Sequence, residues 1–320
     1  MKTGPRQIGV IMDPLAGISP KKDSTLAMML AAQARGWQLV YLELAGLALR
    51  DGVALGSGHR VSVQDDEHHW FSLTGPWGGR LSDLDVLLMR KDPPFDMEYV
   101  HATYILQRAE IAGALVVNSP AALRDINEKV ATAWFPQCTP PTLIARRHAQ
   151  LRAFLGEHRK IVIKPLDGMG GRSVFVVEEH DPNRNVIMET LTDNQTRYVM
   201  AQRYVPEITD GDKRVLLIDG QPIDFLLARV PGGGDHRGNL VAGARGEGRP
   251  LAARERWIAA EVGPELARKG VIFAGLDVIG DYLTEINVTS PTGIRELDRQ
   301  FGLKIADQLM SAIEHRLETR

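Results

Sequence analysis

Residues 161–177 read IVIKPLDGMGGRSVFVV. A β-branched run ends in Lys164 and Pro165, crosses Gly168-Met169-Gly170-Gly171, and resumes as Val174-Phe175-Val176-Val177. A lysine beside clustered glycines suits a phosphate, and spacing tests two familiar arrangements. A P-loop places its lysine after the glycines; here Lys164 precedes them. A dinucleotide-binding turn needs Gly-x-Gly-x-x-Gly opening a helix, but the third glycine is missing and a second strand follows. The segment is therefore strand–loop–strand. It is either a hairpin with a flexible tip or a lid whose backbone N–H groups, unobstructed by Cβ atoms, close over a phosphate.

Upstream of it, strand and helix signals alternate. QIGVIMD (7–13), QLVYLEL (38–44), DVLLMR (85–90) and LVVN (115–118) read as buried strands, and 23–36 and 97–113 as helices between them. This alternation predicts an amino-terminal parallel sheet flanked by helices, with ligands at the carboxyl ends of its strands. Asp13, Arg90 and Lys91 stand at such ends. NSPAALRDINEKVATAWF (118–135) predicts a helix carrying Lys129, and the prolines of CTPPT (138–142) mark a boundary nearby.

Downstream, YVMAQRYVP (198–206) reads as a strand, and KRVLLIDGQPIDFLLARV (213–230) as a hairpin turning at Asp219-Gly220. A two-residue turn there sets Arg214 and Arg229 on one face. Residues 231–250, dense in glycine and carrying Arg237, Arg245 and Arg249, read as a long loop. Helices are expected over 252–270 and 302–318, while 50–82 is uninformative.

The sharpest chemistry lies in VIFAGLDVIGDYLTEINVTSP (271–291). Side chains alternate along a strand, so Leu276, Val278, Ile286 and Val288 share a core face. Asp277, Glu285 and Asn287 share the other, and a three-residue turn sets Asp277 opposite Glu285. Two carboxylates facing together repel unless a cation lies between them. All-oxygen donors suit Mg²⁺, which completes its shell with water and substrate phosphates; a plain solvated face is the alternative. No Gly-x-Ser-x-Gly elbow supports serine chemistry.

Composition limits the remaining classes. The 320 residues exceed one typical domain, and 44% hydrophobic with 24% charged residues is ordinary for a soluble globular protein. A net charge of −2 gives no broad field to attract nucleic acid or an anionic membrane, so neither is expected as a partner. The lone Cys138 excludes an internal disulfide and fits a reducing compartment. The first residues lack a signal-peptide run, and no stretch is long enough to span a bilayer, so a cytoplasmic protein is expected.

Taken in order, a lysine, a strand lysine, a glycine lid, paired arginines and an Asp…Glu-x-Asn face resemble the ATP-grasp ligases. GVIMDPLAGISPKKDST (9–25), LMRKDPPFDMEYVHATYIL (88–106) and GLDVIGDYLTEINVTSPTGIRE (275–296) narrow the likeness to bacterial glutathione synthetases, over nearly the whole chain. The resemblance implies an amino-terminal substrate-binding domain (1–122), a central lobe with the lid (123–200) and a carboxyl-terminal lobe with the metal site (201–320). It implies ATP-dependent joining of γ-glutamylcysteine and glycine through an acyl phosphate, with Mg²⁺ or Mn²⁺ as cofactor, in a homotetramer.

By the same resemblance Lys129 and Lys164 hold the phosphates under Gly168, Gly170 and Gly171, and Gln202, Arg203, Tyr204 and Val205 line the adenine pocket. Asp277, Glu285 and Asn287 hold the metal. Arg214 and Arg229, with Arg237 and Arg245 from the long loop, stabilise the acyl phosphate and the oxyanion. Asp13, Arg90, Lys91, Ser290 and Arg295 recognise the dipeptide or glycine. Two alternatives stay open: a ligase joining another carboxylate and amine, and an ATP-binding regulator that keeps the fold without turnover.

Overall fold

The computed structural model describes residues 4–168, 170–232 and 245–319. Strand β1 (Gln7–Ile11) is followed by helix α1 (Ser24–Ala34), whose cap Asp23 accepts a hydrogen bond from the Leu26 N–H. Strands β2 (Gln38–Arg50), β3 (Val53–Val63), β4 (Phe71–Arg80) and β5 (Val86–Met89), helix α2 (Met97–Ile111) and β6 (Leu115–Val117) complete the first unit. Its sheet runs β4-β3-β2-β1-β5-β6. The expected parallel core is present in β2, β1, β5 and β6. The uninformative stretch 50–82 supplies an antiparallel extension, β2-β3-β4. Its glycines and histidines interrupt the apolar alternation that would have announced strands.

Helix α3 (Pro120–Asp125) ends four residues before Lys129, which precedes a 3₁₀ turn at Val130–Trp134 rather than lying within a helix. The Asn127 side-chain oxygen accepts hydrogen bonds from the N–H groups of Lys129 and Val130. Such local bonding competes with helix propagation.

The central lobe contains β7 (Thr142–Ala145), α4 (His148–His158), β8 (Lys160–Pro165), β9 (Phe175–Glu178), α5 (Arg184–Thr192) and β10 (Val199–Arg203). Its antiparallel sheet, ordered β7-β10-β8-β9, makes the glycine segment a connection between neighbouring strands. Strand β10, which spans residue 200, pairs inside this sheet.

The third sheet uses β11 (Asp212–Ile218), β12 (Gln221–Val230), β13 (Arg245–Pro250), β14 (Phe273–Ile279) and β15 (Tyr282–Asn287), in the order β13-β12-β11-β14-β15. Helix α6 (Ala253–Arg268) crosses it, and α7 (Ile294–Phe301) and α8 (Ile305–Glu318) follow. The end of the expected loop 231–250 is thus the edge strand β13, backbone-paired with β12. Its arginines and glycines carry no strand signal because an edge strand needs none. Asp219 and Gly220 both adopt positive φ, 49° and 79°, as a two-residue hairpin turn requires.

Packing separates the central lobe from the rest. Ala145, Leu151, Ile161, Ile163 and Met188 belong to its own buried cluster. The other two clusters each mix the first and third units: Val40 and Leu87 share one with Leu276 and Ile286, while Ile8 and Met29 share another with Leu216 and Leu309. Buried Asn118 fastens the two units. Its amide nitrogen donates to the carbonyls of Phe273 (2.7 Å) and Val288 (2.6 Å), and its oxygen accepts from the N–H groups of Ile272 (2.8 Å) and Phe273 (2.9 Å).

Candidate active site

Between the central and third sheets lies a cavity of about 380 Å³. Val162, Val176, Val205, Ile208 and Ile279 make part of its wall apolar, and charged side chains, among them Lys129, Lys164, Arg214, Arg229, Asp277 and Glu285, line another part.

The β14–β15 hairpin builds the charged floor. Ile279 pairs with Tyr282 across a two-residue turn, and the register then shifts so that Asp277 faces Glu285. The pairing agrees with the sequence reading, but a bulge supplies the extra residue instead of a longer turn. A bulge re-aims side chains locally. Behind it Leu276, Val278, Ile286 and Val288 are buried.

Asp277 is gripped from the neighbouring strands. Arg214 donates Nε to Oδ1 at 2.5 Å and Nη2 to Oδ2 at 2.9 Å. Arg229 Nη2 lies 2.9 Å from Oδ2 and also 2.5 Å from Asp212 Oδ2. Both arginines therefore share the face that the hairpin spacing predicts. Burial alone would raise the Asp277 carboxyl, but Arg214 and Arg229 outweigh it and hold the group below the usual range. Asp212 shows the opposite balance. Its Oδ1 is buried without a partner, and burial dominates the attraction of Arg229, pushing the carboxyl up to about 7.

Glu285 faces the two lysines. Lys164 Nζ donates to the Thr284 carbonyl at 3.3 Å and lies 3.5 Å from Glu285 Oε1. Lys129 Nζ lies 3.6 Å from the same oxygen, donates to the Gly168 carbonyl at 2.7 Å, and pairs with Glu128. Burial works to raise Glu285, yet Lys129 and Lys164 prevail and lower it. Glu128 is raised by burial and by the charge of Glu285.

Two ionised carboxylates beside an amide form an oxygen donor set. Asn287 turns Nδ2 to Asp277 Oδ2 at 3.2 Å, which leaves Oδ1 as its acceptor. This set fits a hard divalent cation that takes further oxygens from water or substrate. No cluster of three His, Cys, Asp or Glu side chains suited to a metal occurs among the described residues, so such an ion would depend on those added oxygens.

Gly168, Gly170 and Gly171 border the same cavity. Gly170 and Gly171 adopt φ of 68° and 74°, the left-handed region that a side chain disfavours. Gln202, Arg203, Tyr204 and Val205 line the wall where β10 ends. Gln202 donates to Thr142 Oγ1 at 3.1 Å, and Arg203 donates Nη2 to Tyr282 Oη at 2.9 Å.

The expected substrate residues divide. Ser290 lines the cavity. Arg90 is buried outside it, donating to the Pro291 carbonyl at 3.0 Å and to Thr25 Oγ1 at 3.1 Å, so it holds the segment behind Ser290. Asp13 and Lys91 pair with each other at 2.8 Å next to Asp92, and Arg295 pairs with Asp65. Arg245 begins β13 with its side chain 78% exposed and pairs with Glu247, away from the cavity wall. Arg237 and Met169 lie outside the described residues. Sequence reasoning passed over Glu128 and Asp212, which also line the cavity. The signal was adjacency: Glu128 precedes Lys129, and Asp212 shares a strand face with Arg214.

Comparison with known proteins places the chain in a family. The family described as prokaryotic glutathione synthetase, N-terminal domain, matches residues 7–124, and its ATP-grasp domain matches 128–302. Glutathione synthetase of Pseudomonas aeruginosa is 58% identical over 314 residues, 98% of this chain and 99% of that protein. The Escherichia coli K12 protein of the same name is 56% identical over 312 residues, with the same shares covered. Among solved structures, D-cycloserine synthetase DcsG superposes with a TM-score of 0.67 at 16% identity, over 97% of this chain and 99% of that one, a likeness of fold. Matched in both of its domains and along 98% of its length, this chain belongs to the prokaryotic glutathione synthetase family.

Proposed function

We infer that the protein is an ATP-dependent ligase that joins γ-glutamylcysteine and glycine into glutathione, releasing ADP and phosphate. The observation that carries this reading is the convergence of Lys129, Lys164, Arg214 and Arg229 on the Asp277–Glu285 pair in one cavity. A carboxylate resists attack by an amine until its oxygen becomes a leaving group. One carboxylate oxygen of the dipeptide's cysteine attacks the γ-phosphorus of ATP, ADP departs, and an acyl phosphate forms. The glycine nitrogen then adds to the acyl carbon, phosphate leaves with the former carboxylate oxygen, and the nitrogen sheds a proton.

These steps call for positioning and charge neutralisation rather than a protein nucleophile. We propose that Lys129 and Lys164 orient the phosphates and that Gly168, Gly170 and Gly171 cover them. The base would rest among Val162, Val205 and Ile208, bordered by Gln202 to Val205. Arg214 and Arg229 would neutralise the acyl phosphate and then the oxyanion. Ser290, on the segment that Arg90 holds, would meet the second substrate. Asp277, Glu285 and Asn287 would hold Mg²⁺, or Mn²⁺, which when bound offsets phosphate charge.

A homo-oligomer, tetrameric by family resemblance, belongs to the same proposal. Met97, Tyr104 and Ile111, exposed at seven-residue spacing on α2, are apolar surface that assembly would cover. A cytoplasmic location is likewise proposed; among the described residues no helix is long and apolar enough to cross a membrane. The test measures ADP release from ATP and Mg²⁺ with γ-glutamylcysteine and glycine together, and with each omitted. Release that needs both, with glutathione as product, is expected. Release with a different carboxylate and amine instead would overturn the substrate assignment.

A further inference from the structure

Asn127, Glu128 and Lys129 form a three-residue junction between the lobes. Asn127 donates Nδ2 to the Leu166 carbonyl at 3.0 Å, just before the glycine segment. The Glu128 carbonyl accepts from the Ile286 N–H at 2.8 Å, beside Glu285 on the metal-site hairpin. Lys129 Nζ reaches both sides, with the Gly168 carbonyl at 2.7 Å and Glu285 at 3.6 Å. Its third neighbour is the carboxylate of Glu128. An ammonium has three protons to donate; here two are hydrogen-bonded, to Gly168 and Glu128, and the ammonium also forms an ion pair with Glu285 at 3.6 Å. Lys129 is 3% exposed, so water is a poor substitute for any of them.

A phosphate oxygen arriving at the buried Lys129 ammonium competes with the partners already around it. The Gly168 carbonyl is fixed by the backbone and Glu285 is shared with Lys164. The Glu128 side chain is 21% exposed and lines the cavity. It is also an anion, as the incoming oxygen is. We propose that the Glu128 carboxylate is a stand-in for nucleotide phosphate: it holds Lys129 extended and charged in the empty enzyme and yields that position to a phosphate oxygen on binding. Glu128 is thus a positioning residue that sets nucleotide affinity and release. With it in place the cavity avoids an uncompensated buried cation when empty, at the cost of weaker nucleotide binding, and ADP leaves readily.

This inference rests on the cavity being a nucleotide site, and the experiment separates the two. ADP is titrated by calorimetry into wild type, Glu128→Gln and Glu128→Asp, without metal and again with Mg²⁺. Glu128→Gln removes the competing charge at nearly constant shape and should bind ADP roughly tenfold more tightly, as expected for one fewer anion near the phosphates at intermediate dielectric. In turnover its KM for ATP and its kcat should fall together, because release slows. Glu128→Asp keeps the charge and should restore affinity to near the wild-type value. If wild type fails to bind ADP, the nucleotide reading fails. If wild type binds while Glu128→Gln binds equally or more weakly, the stand-in role is overturned. Should Glu128→Gln not fold, Glu128→Ala is titrated in its place with the same expectations.

Discussion

Arg214 meets Asp277 through both Nε and Nη2, a planar two-point contact that lysine cannot reproduce. Arg214→Ala should lower kcat by about 10²- to 10³-fold, the scale of losing one charge-stabilising donor, while ATP affinity changes far less. Parallel rate and binding measurements check this; an unchanged kcat removes Arg214 from the transition state. At Cys138 the consequence is inertness. The thiol is fully buried, and burial pushes its pKa up to about 11, above the ordinary value of about 8.5. It should resist thiol reagents at pH 8 in the folded protein and react on denaturation. The unfolded chain loses this proton first, so between about pH 8.5 and 11 the linked stability declines as pH rises. Stoichiometric labelling of the native protein at pH 8 would contradict the burial.

Among the elements, α6 leans on the β11–β12 turn through two glycines. A Cβ on Gly263 would stand 2.0 Å from the Gly220 carbonyl oxygen. Gly263→Ala should therefore cost about 1–3 kcal/mol, as overpacking does, read as a lower denaturation midpoint; an unchanged midpoint would mean that the helix can shift away. Asn118, following β6, satisfies four backbone groups of the third unit. Asn118→Ala should destabilise by about 2–4 kcal/mol, since buried donors and acceptors lose their partners, and Asn118→Asp should not rescue it. Chemical denaturation measures both. The elements also show what sequence alone discloses. The hairpin turn at Asp219-Gly220 and the Asp277–Glu285 pairing were legible, because turn chemistry and alternation are local. The bulge that delivers the pairing was not, nor was β13, whose Arg-Gly-Glu-Gly-Arg-Pro sequence becomes a strand only through its neighbour β12. Lys129 was found as a residue and misplaced as an element, since the helix stops at Asp125 and Asn127 bonds forward to the start of a separate turn.

At the scale of the molecule, the parallel core follows from the order of strand and helix signals, while the two-lobed arrangement came only from the family resemblance. How the units share cores does not follow from that order, because it depends on which faces meet. Four of the five expected substrate residues sit off the cavity wall for the same reason: position at a strand end was readable, direction was not. The division of the cores has a kinetic meaning. The central lobe keeps a cluster of its own, and Asn127, Lys129 and Lys164 tie it to its surroundings largely by polar contacts. Cooperative units that open separately exchange their amide hydrogens separately. The amides of β8 and β10 should exchange with deuterium sooner than those of β1 and β11, whose clusters span two units, and ADP should slow the former far more than the latter. Uniform exchange across all four strands would mean a single opening unit. On this view ligand binding welds two clocks into one, with the nucleotide itself as the missing piece of a shared interior.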